Sequence, residues 1–341
     1  MSRLILSLDG GGIRGAATTQ FLARVETEMS NTGLGSLRDY VDFYAGTSTG
    51  SIIALALATT SLSLSEINAL YSIESANEIF TRNRGWFEID GLNAPKYEAQ
   101  GKSRVLAENF GNVTLSDVPE GKHVLAVTYG VEKRRPYVLK STKTEHLNLM
   151  SADVADASSA APTYFPTKPM LLPPEDTEHW LIDGGVIANN PTLCAVAEAR
   201  RVWKTEAFDQ LRVLSIGTGF QTRKINGPES RSWGALGWMT KGNIINILSD
   251  EMVVGYQAIT LVPQGNYIRV NSQLATQPGL VNPPDDAMDD VSAGNIEKLK
   301  AMGDFWYSRY GKDVIELITG QYSGPSLDRI DPTTGLPIQF S

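Results

Sequence analysis

A strand forced to become a helix within one glycine-flanked pentapeptide is the tightest constraint in this chain. Tyr40-Val41-Asp42-Phe43-Tyr44 is an apolar lead-in that reads as a short strand. Ser51 to Ala58 is a run of good helix formers. Between them lies Gly46-Thr47-Ser48-Thr49-Gly50. So sharp a bend needs residues without a Cβ on both sides of its apex. The central serine is then thrust out at a helix N-terminus, beside backbone N–H groups. This is the geometry of a nucleophile elbow. A Gly-rich turn capped by Ser or Thr gives the same letters, so the strand–turn–helix context carries the reading.

The remaining sequence sets limits. The 341 residues are 42% hydrophobic and 20% charged, enough for a large core. A net charge of −8 disfavours a nucleic-acid polymer as partner, and also strong attraction to an anionic membrane. Cys194 is the one cysteine, so no intrachain disulfide forms. Strand-like sequence starts at Arg3, which leaves no room for a signal peptide, and no apolar run has membrane-span length. The expected location is the cytoplasm, with peripheral membrane contact.

Buried strands alternate with helices along the chain. Strands are expected at 4–8, 40–44, 123–129, 136–139, 180–183 and 211–216, with a last one at 267–270. Helices are expected after Gly15, from Ser51, from Ser63, over 151–161 and 192–203, through Ile244, Leu248, Met252 and Tyr256, and over 295–310 and 313–318. The proline-rich stretch 167–177 reads as a loop, and 221–242 as another. This pattern means a mainly parallel sheet covered on both faces. No linker divides the chain, so a single domain over 1–341 is expected, its motif-bearing core about 3–300 and a helical extension over about 291–341.

Three Gly-rich turns follow strands, at 9–15, 46–50 and 183–185, and ligands of open α/β sheets bind beyond the carboxyl ends of strands. Ser48 would supply a nucleophile there. The amides of Gly10, Gly11 and Gly12 suit an oxyanion, and Asp183 a base. Gly10-x-Gly12-x-x-Gly15 is also formally a dinucleotide fingerprint. Asp9 beside a pyrophosphate disfavours that, as does the missing acidic strand end near position 30. Arg14 reads equally as an oxyanion aid or as a buried partner of Asp9. Asp285, Asp286, Asp289 and Asp290 lack calcium-loop spacing and suit the start of the next helix. Trp233, Leu236, Trp238 and Met239 form an apolar segment that fits either a pocket cover, a lipid contact or ordinary packing. Trp86, Phe87 and Tyr97 stand under the same alternatives. No metal and no cofactor is expected.

These blocks carry a resemblance. Asp9 to Gly15, Gly46 to Gly50 and Asp183-Gly184-Gly185 occur in the order and context of the patatin-like phospholipase family. Ala157 to Phe165 and Ser215 to Gly219 are similar to further blocks of it. The resemblance implies a three-layer α/β/α sandwich and metal-free lipid acyl hydrolysis by a Ser–Asp dyad. It makes Ser48 the nucleophile and Asp183 the base, with Gly10, Gly11, Gly12 and Arg14 at the oxyanion site. Phospholipid or another acyl lipid is then the substrate, met by transient contact with a membrane surface. Some bacterial members resemble effectors switched on by cyclic nucleotides, so a cyclic-nucleotide activator stays open; so do an esterase or thioesterase acting on soluble acyl esters, and the oligomeric state.

Histidine is the test of dyad against triad. His123 lies in an expected strand and His146 in a polar stretch expected to be solvated. His179 is the rival base, because strand alternation puts it on the face of Asp183. An unperturbed aspartate, with a pKa near ~4, is a weak base. Burial and a hydrogen bond to Ser48 would make Asp183 a better one.

Overall fold

The computed structural model describes residues 2–85, 93–174, 177–203, 211–221, 225–241, 247 and 250–340. Trp86, Phe87, Ile244 and Leu248 lie outside the described residues. The strands are β1 (Arg3–Leu8), β2 (Val41–Thr47), β3 (His123–Gly130), β4 (Arg135–Lys140), β5 (Lys168–Leu172), β6 (Thr177–Asp183), β7 (Leu211–Ile216), β8 (Tyr267–Val270), β9 (Ser326–Ile330) and β10 (Pro337–Phe340). The helices that matter here are α1 (Gly15–Asn31), α2 (Thr49–Thr59), α3 (Leu64–Ala69), α4 (Ile73–Ile79), α5 (Ala99–Phe110), α6 (Ser151–Ser158), α7 (Thr192–Val202), α8 (Met252–Leu261) and α9 (Ala293–Thr319).

The strands form one sheet in the order β10-β9-β8-β7-β1-β2-β3-β6-β5, with β4 also on β3. From β9 to β3 the pairings are parallel; β10, β4, β6 and β5 join antiparallel. Alternation along the central strands assigns the two faces. Leu4, Leu6 and Leu8 join the larger apolar cluster, with residues of α1, α2 and α9 such as Phe21, Ile53 and Trp306. Ile5, Phe43 and Ala45 point the other way, to Ala195 and Ala199 of α7 and Ala258 of α8. The expected three-layer α/β/α architecture is therefore present, with its sheet mixed at the margins.

Several expectations are corrected. Residues 168–172 are not a loop: Met170 and Leu172 are buried and pair with β6, while Pro169 sits at the sheet edge, where a missing N–H is tolerated. The end of the chain is not helical throughout. A single helix runs over 293–319, because Gly311 packs against the Tyr307 ring and no proline interrupts the run. Gly320, at φ 75°, then ends it in the left-handed conformation that favours glycine. Tyr267–Val270 is not the last strand, since β9 and β10 extend the sheet beyond β8 and bury Leu327 and Ile330. His146 is not solvated. It is 6% exposed, its Nδ1 accepts the Lys140 N–H at 3.2 Å, and its pKa is pushed down to about 4 by burial, Lys143 and Lys140.

Register sets where chemistry can occur. Leu8 pairs with Gly46 on one side and Ile216 on the other, so β1, β2 and β7 end at one level. The chain leaves β1 toward β2 on one side and returns as β7 on the other, which makes this a topological switch point. A second meeting is head-on. β2 pairs with β3 as far as Thr47↔Val127, and β6 runs antiparallel along β3 from Gly130 to Thr128↔Asp183. Because β4 holds the other edge of β3 over the same residues, β6 lies on the β2 side. The ends of β2 and β6 thus face each other, and Ser48 and Asp183 follow from that collision of strand ends.

Candidate active site

The elbow is built from close approach. A Cβ on Gly46 would lie 2.3 Å from the Gly50 carbonyl oxygen, and one on Gly50 2.1 Å from that of Leu8. Neither position has space for a side chain. Ser48 itself sits at φ 54°, ψ −126°, a strained conformation for a residue with a Cβ. Surrounding bonds hold it there: its N–H donates to Ser158 Oγ at 3.1 Å, and its carbonyl accepts from Ser51 N and Oγ at 2.9 and 2.6 Å. Thr47 Oγ1 donates to the Ala188 carbonyl at 2.8 Å, which ties the elbow to the turn after Asp183.

Asp183 is 5% exposed. Burial pushes its carboxyl up to about 6, opposed by hydrogen bonds from the Ser48 hydroxyl and the Gly185 N–H and by the charge of Lys102. The Gly185 N–H lies 2.7 Å from Oδ1. Ser48 and Asp183 share one cavity with Gly11 and Gly12. Its far walls are apolar, including Ile52, Leu70, Ile79, Phe80, Val105 and Leu106. They come from α2, α4 and α5 and from the turn after α3. Tyr71 closes one side with its hydroxyl on Thr49 Oγ1.

The glycine turn divides its expected roles. Gly10 N–H is occupied, donating to the Asn189 carbonyl at 3.1 Å. Its missing Cβ matters too: one placed there would be 2.3 Å from Asn189 Oδ1 and 3.1 Å from Ser48 Cβ. Among the described residues the N–H groups of Gly11 and Gly12 have no hydrogen-bond partner. Both line the cavity. Arg14 does not line it. Its Nε donates to the Gly11 carbonyl at 3.3 Å, bracing the turn from behind. Burial pushes its guanidinium down to about 10, against Asp286, Tyr164 and Asp9.

The direct ion pair of Asp9 is with a residue other than Arg14. Arg269 holds Asp9 in a two-pronged pair, with Nη1 3.0 Å from Oδ1, and also reaches Glu251 at 2.8 Å. Burial alone would lower the Arg269 pKa; Asp9 and Glu251 outweigh it and raise it well above the ordinary value. Arg269 sits in a β-strand far along the chain, so no spacing rule pointed to it.

His179 stands apart from the cavity. Its nitrogens meet Tyr137 OH at 3.4 Å and Thr177 Oγ1 at 3.2 Å, and its ring lies edge-on to Tyr137. His123 packs between Phe43 and Trp203. The acidic cluster serves two purposes. Asp289 pairs with Lys96 at 2.7 Å and accepts from Tyr97 OH, while Asp290 accepts the Ser292 N–H just before α9. Trp233 and Trp238 pack edge-on at 5.5 Å, and neither lines the cavity. Sequence reasoning missed Ser158, Asn189 and Thr218. Thr218 Oγ1 donates to the Gly10 carbonyl at 2.8 Å. Ser158 and Thr218 fall in the blocks 157–165 and 215–219, which was the available signal.

A family model for patatin-like phospholipase matches residues 6–196. Patatin-like protein 2 of Arabidopsis thaliana is 30% identical, covering 88% of this chain and 81% of its own length. Patatin-12 of Solanum tuberosum is 26% identical over 88% of this chain and 82% of its own. A structural search aligns 89% of the chain with 67% of VipD from Legionella pneumophila, at 12% identity and a TM-score of 0.40. By the family match and the length of the shared sequence, the chain belongs to the patatin-like phospholipase family, an enzyme family of serine-dependent acyl-ester hydrolases.

Proposed function

We propose that the chain, acting as one hydrolase domain, cleaves fatty acyl esters of membrane lipids through a Ser48–Asp183 dyad and an acyl-enzyme. One observation carries this reading: the Ser48 hydroxyl hydrogen-bonds to the buried Asp183 carboxyl, and both line a largely apolar cavity. Asp183 takes the hydroxyl proton as Ser48 Oγ attacks the acyl carbon. The free N–H groups of Gly11 and Gly12 receive the developing oxyanion. Collapse expels the alcohol, which takes the proton back from Asp183. Water then attacks the acyl carbon and gives a proton to Asp183; collapse breaks the Ser48 Oγ–acyl bond, Asp183 returns the proton to Ser48 Oγ, and the fatty acid leaves. Arg14 acts on the Gly11 carbonyl and so orients the turn.

The cavity favours lipid over small soluble esters. Each methylene buried there is worth about 0.8 kcal/mol, or roughly fourfold. For p-nitrophenyl esters of increasing chain length, kcat/KM is therefore expected to climb about fourfold per CH₂ until the cavity fills. A flat profile with acetate best would favour the soluble-ester reading. A fluorophosphonate probe is expected to label wild type and not Ser48→Ala; equal labelling of both defeats the dyad. Among the described residues no helix is long and apolar enough to cross a membrane, so contact with lipid is read as peripheral. Turnover of vesicle-borne phospholipid, with and without a cyclic nucleotide, tests membrane contact and the activator together.

A further inference from the structure

The cavity wall also holds a buried cation. Lys102, on α5, is 3% exposed and lines the same cavity as Ser48 and Asp183. Its Nζ donates to the Asp156 carbonyl at 3.1 Å, the Ser159 carbonyl at 2.9 Å and Ser159 Oγ at 3.2 Å. It also pairs with Asp156 Oδ1 at 3.1 Å and sits 4.5 Å from the centre of the Phe165 ring. These carbonyls lie in the last turn of α6 and at its cap, where backbone acceptors lack helical partners and the dipole is negative. A buried ammonium is costly, and an apolar side chain of similar length often serves stability as well or better. Asp156 would not be orphaned by its loss, because Lys168 at 3.0 Å and Ser103 at 2.7 Å also hold it.

The last residue of α6 and those just beyond it suspend both groups. Ser158 Oγ accepts the Ser48 N–H and donates to the Val127 carbonyl at 2.6 Å. The Ala160 carbonyl accepts the Asp183 N–H at 2.9 Å, and that of Ser158 the Gly184 N–H at 3.4 Å. We propose that Lys102 is a positioning residue for the hydrolysis: its ammonium ties off the end of α6 and so fixes the 158–160 segment to which the backbones of Ser48 and Asp183 are bonded. This rests on the dyad reading above. Its charge has a second effect, since it favours the carboxylate form of Asp183. The charged groups around it are Asp156 and Asp153 on α6, Lys168 on β5 and Asp183 on β6, with Lys168 itself bound to Asp153 and Asp156. The elbow presents only the neutral Ser48.

The experiment compares full-length Lys102→Met, Lys102→Arg and Asp156→Asn with wild type. Turnover of a soluble p-nitrophenyl ester is followed from about pH 5 to about pH 9, with kcat and KM resolved and melting curves recorded. Lys102→Met is expected to lose about 10- to 100-fold in kcat with KM little changed. The acid limb of its kcat/KM profile moves to higher pH, and Lys102→Arg returns it toward wild type. Asp156→Asn removes a negative charge, so its limb moves to lower pH. A folded Lys102→Met with wild-type kcat and an unmoved limb overturns the proposal. If that variant does not fold, an unmoved limb in Asp156→Asn does the same. Fluorophosphonate labelling separates the two levels. Loss of Ser48-specific labelling in wild type sinks the dyad, whereas intact labelling with unmoved limbs sinks only the role of Lys102.

Discussion

Ser48 is held against its own backbone preference. At φ 54° a Cβ costs about 1–3 kcal/mol, which glycine at that position would not incur. Ser48→Gly is accordingly expected to be inactive yet more stable than wild type by about 1 kcal/mol or more in urea unfolding. Asp183 shows the same trade in charge. Its folded pKa, about 6, lies above the ordinary 3.8 because burial disfavours the carboxylate. The folded state therefore holds the proton more tightly than the unfolded chain between those values. Its contribution to stability is fully present below about 3.8 and is lost as pH rises through about 6. Asp183→Asn removes that dependence, so its melting temperature relative to wild type should rise over this window and level above it. In the proposed mechanism activity runs the opposite way, since there only the carboxylate accepts the Ser48 proton. The acid limb of kcat/KM is expected near the value at which Asp183 titrates, and Asp183→Asn should lose about 10²- to 10⁴-fold. His179→Ala should keep most turnover, because its partners are Tyr137 and Thr177. A dead, folded His179→Ala beside an active Asp183→Asn would reverse the assignment of the base.

At the scale of elements, backbone proximity decides more than propensity. Gly50 sits inside α2, where alanine is ordinarily the better residue. Its Cβ would nonetheless strike the Leu8 carbonyl at 2.1 Å, so Gly50→Ala is expected to cost about 1–3 kcal/mol and to displace the elbow. Gly294, in the first turn of α9, has nothing within 4 Å of its added Cβ. Gly294→Ala should instead stabilise by about 0.4–1 kcal/mol. Thermal and urea unfolding of both variants check the pair; equal effects would remove the steric argument for the elbow. The same distinction explains what was legible. The strand–turn–helix at 41–59 was readable because its period and its glycines are local. Strand β5 was not, because its alternation is broken by Pro169 and its partner β6 is what makes it a strand.

Across the whole molecule, the β9–β10 hairpin covers an edge that parallel sheets do not leave open. Leu327 pairs beside Ile268 and is buried, and the Ile330 N–H donates to the Asn271 carbonyl at 2.9 Å. Tyr310 of α9 adds a bond to the Asp328 carbonyl, also at 2.9 Å. Removing residues 325–341 should cost about 3–6 kcal/mol from Leu327 and Ile330 alone and bare the β8 edge to self-association. Differential scanning fluorimetry and light scattering check this; a truncated chain as stable and monodisperse as the full one refutes the structural role.

What the sequence determined by itself was local. The elbow, the Gly-rich turns, the acidic strand end at Asp183 and the alternating buried strands are all written in neighbouring residues, because periodicity and missing Cβ atoms act over a few positions. Tertiary structure decided which groups meet. The head-on approach of β2 and β6 along β3 brings Ser48 to Asp183 across 135 residues, and turns His179 toward Tyr137. It also gave Asp9 to Arg269, occupied the Gly10 amide with Asn189, and set Lys102 against the end of α6. None of these follows from spacing, because each is a pairing of distant groups that only the register of the sheet and the packing of helices on it bring within hydrogen-bond reach.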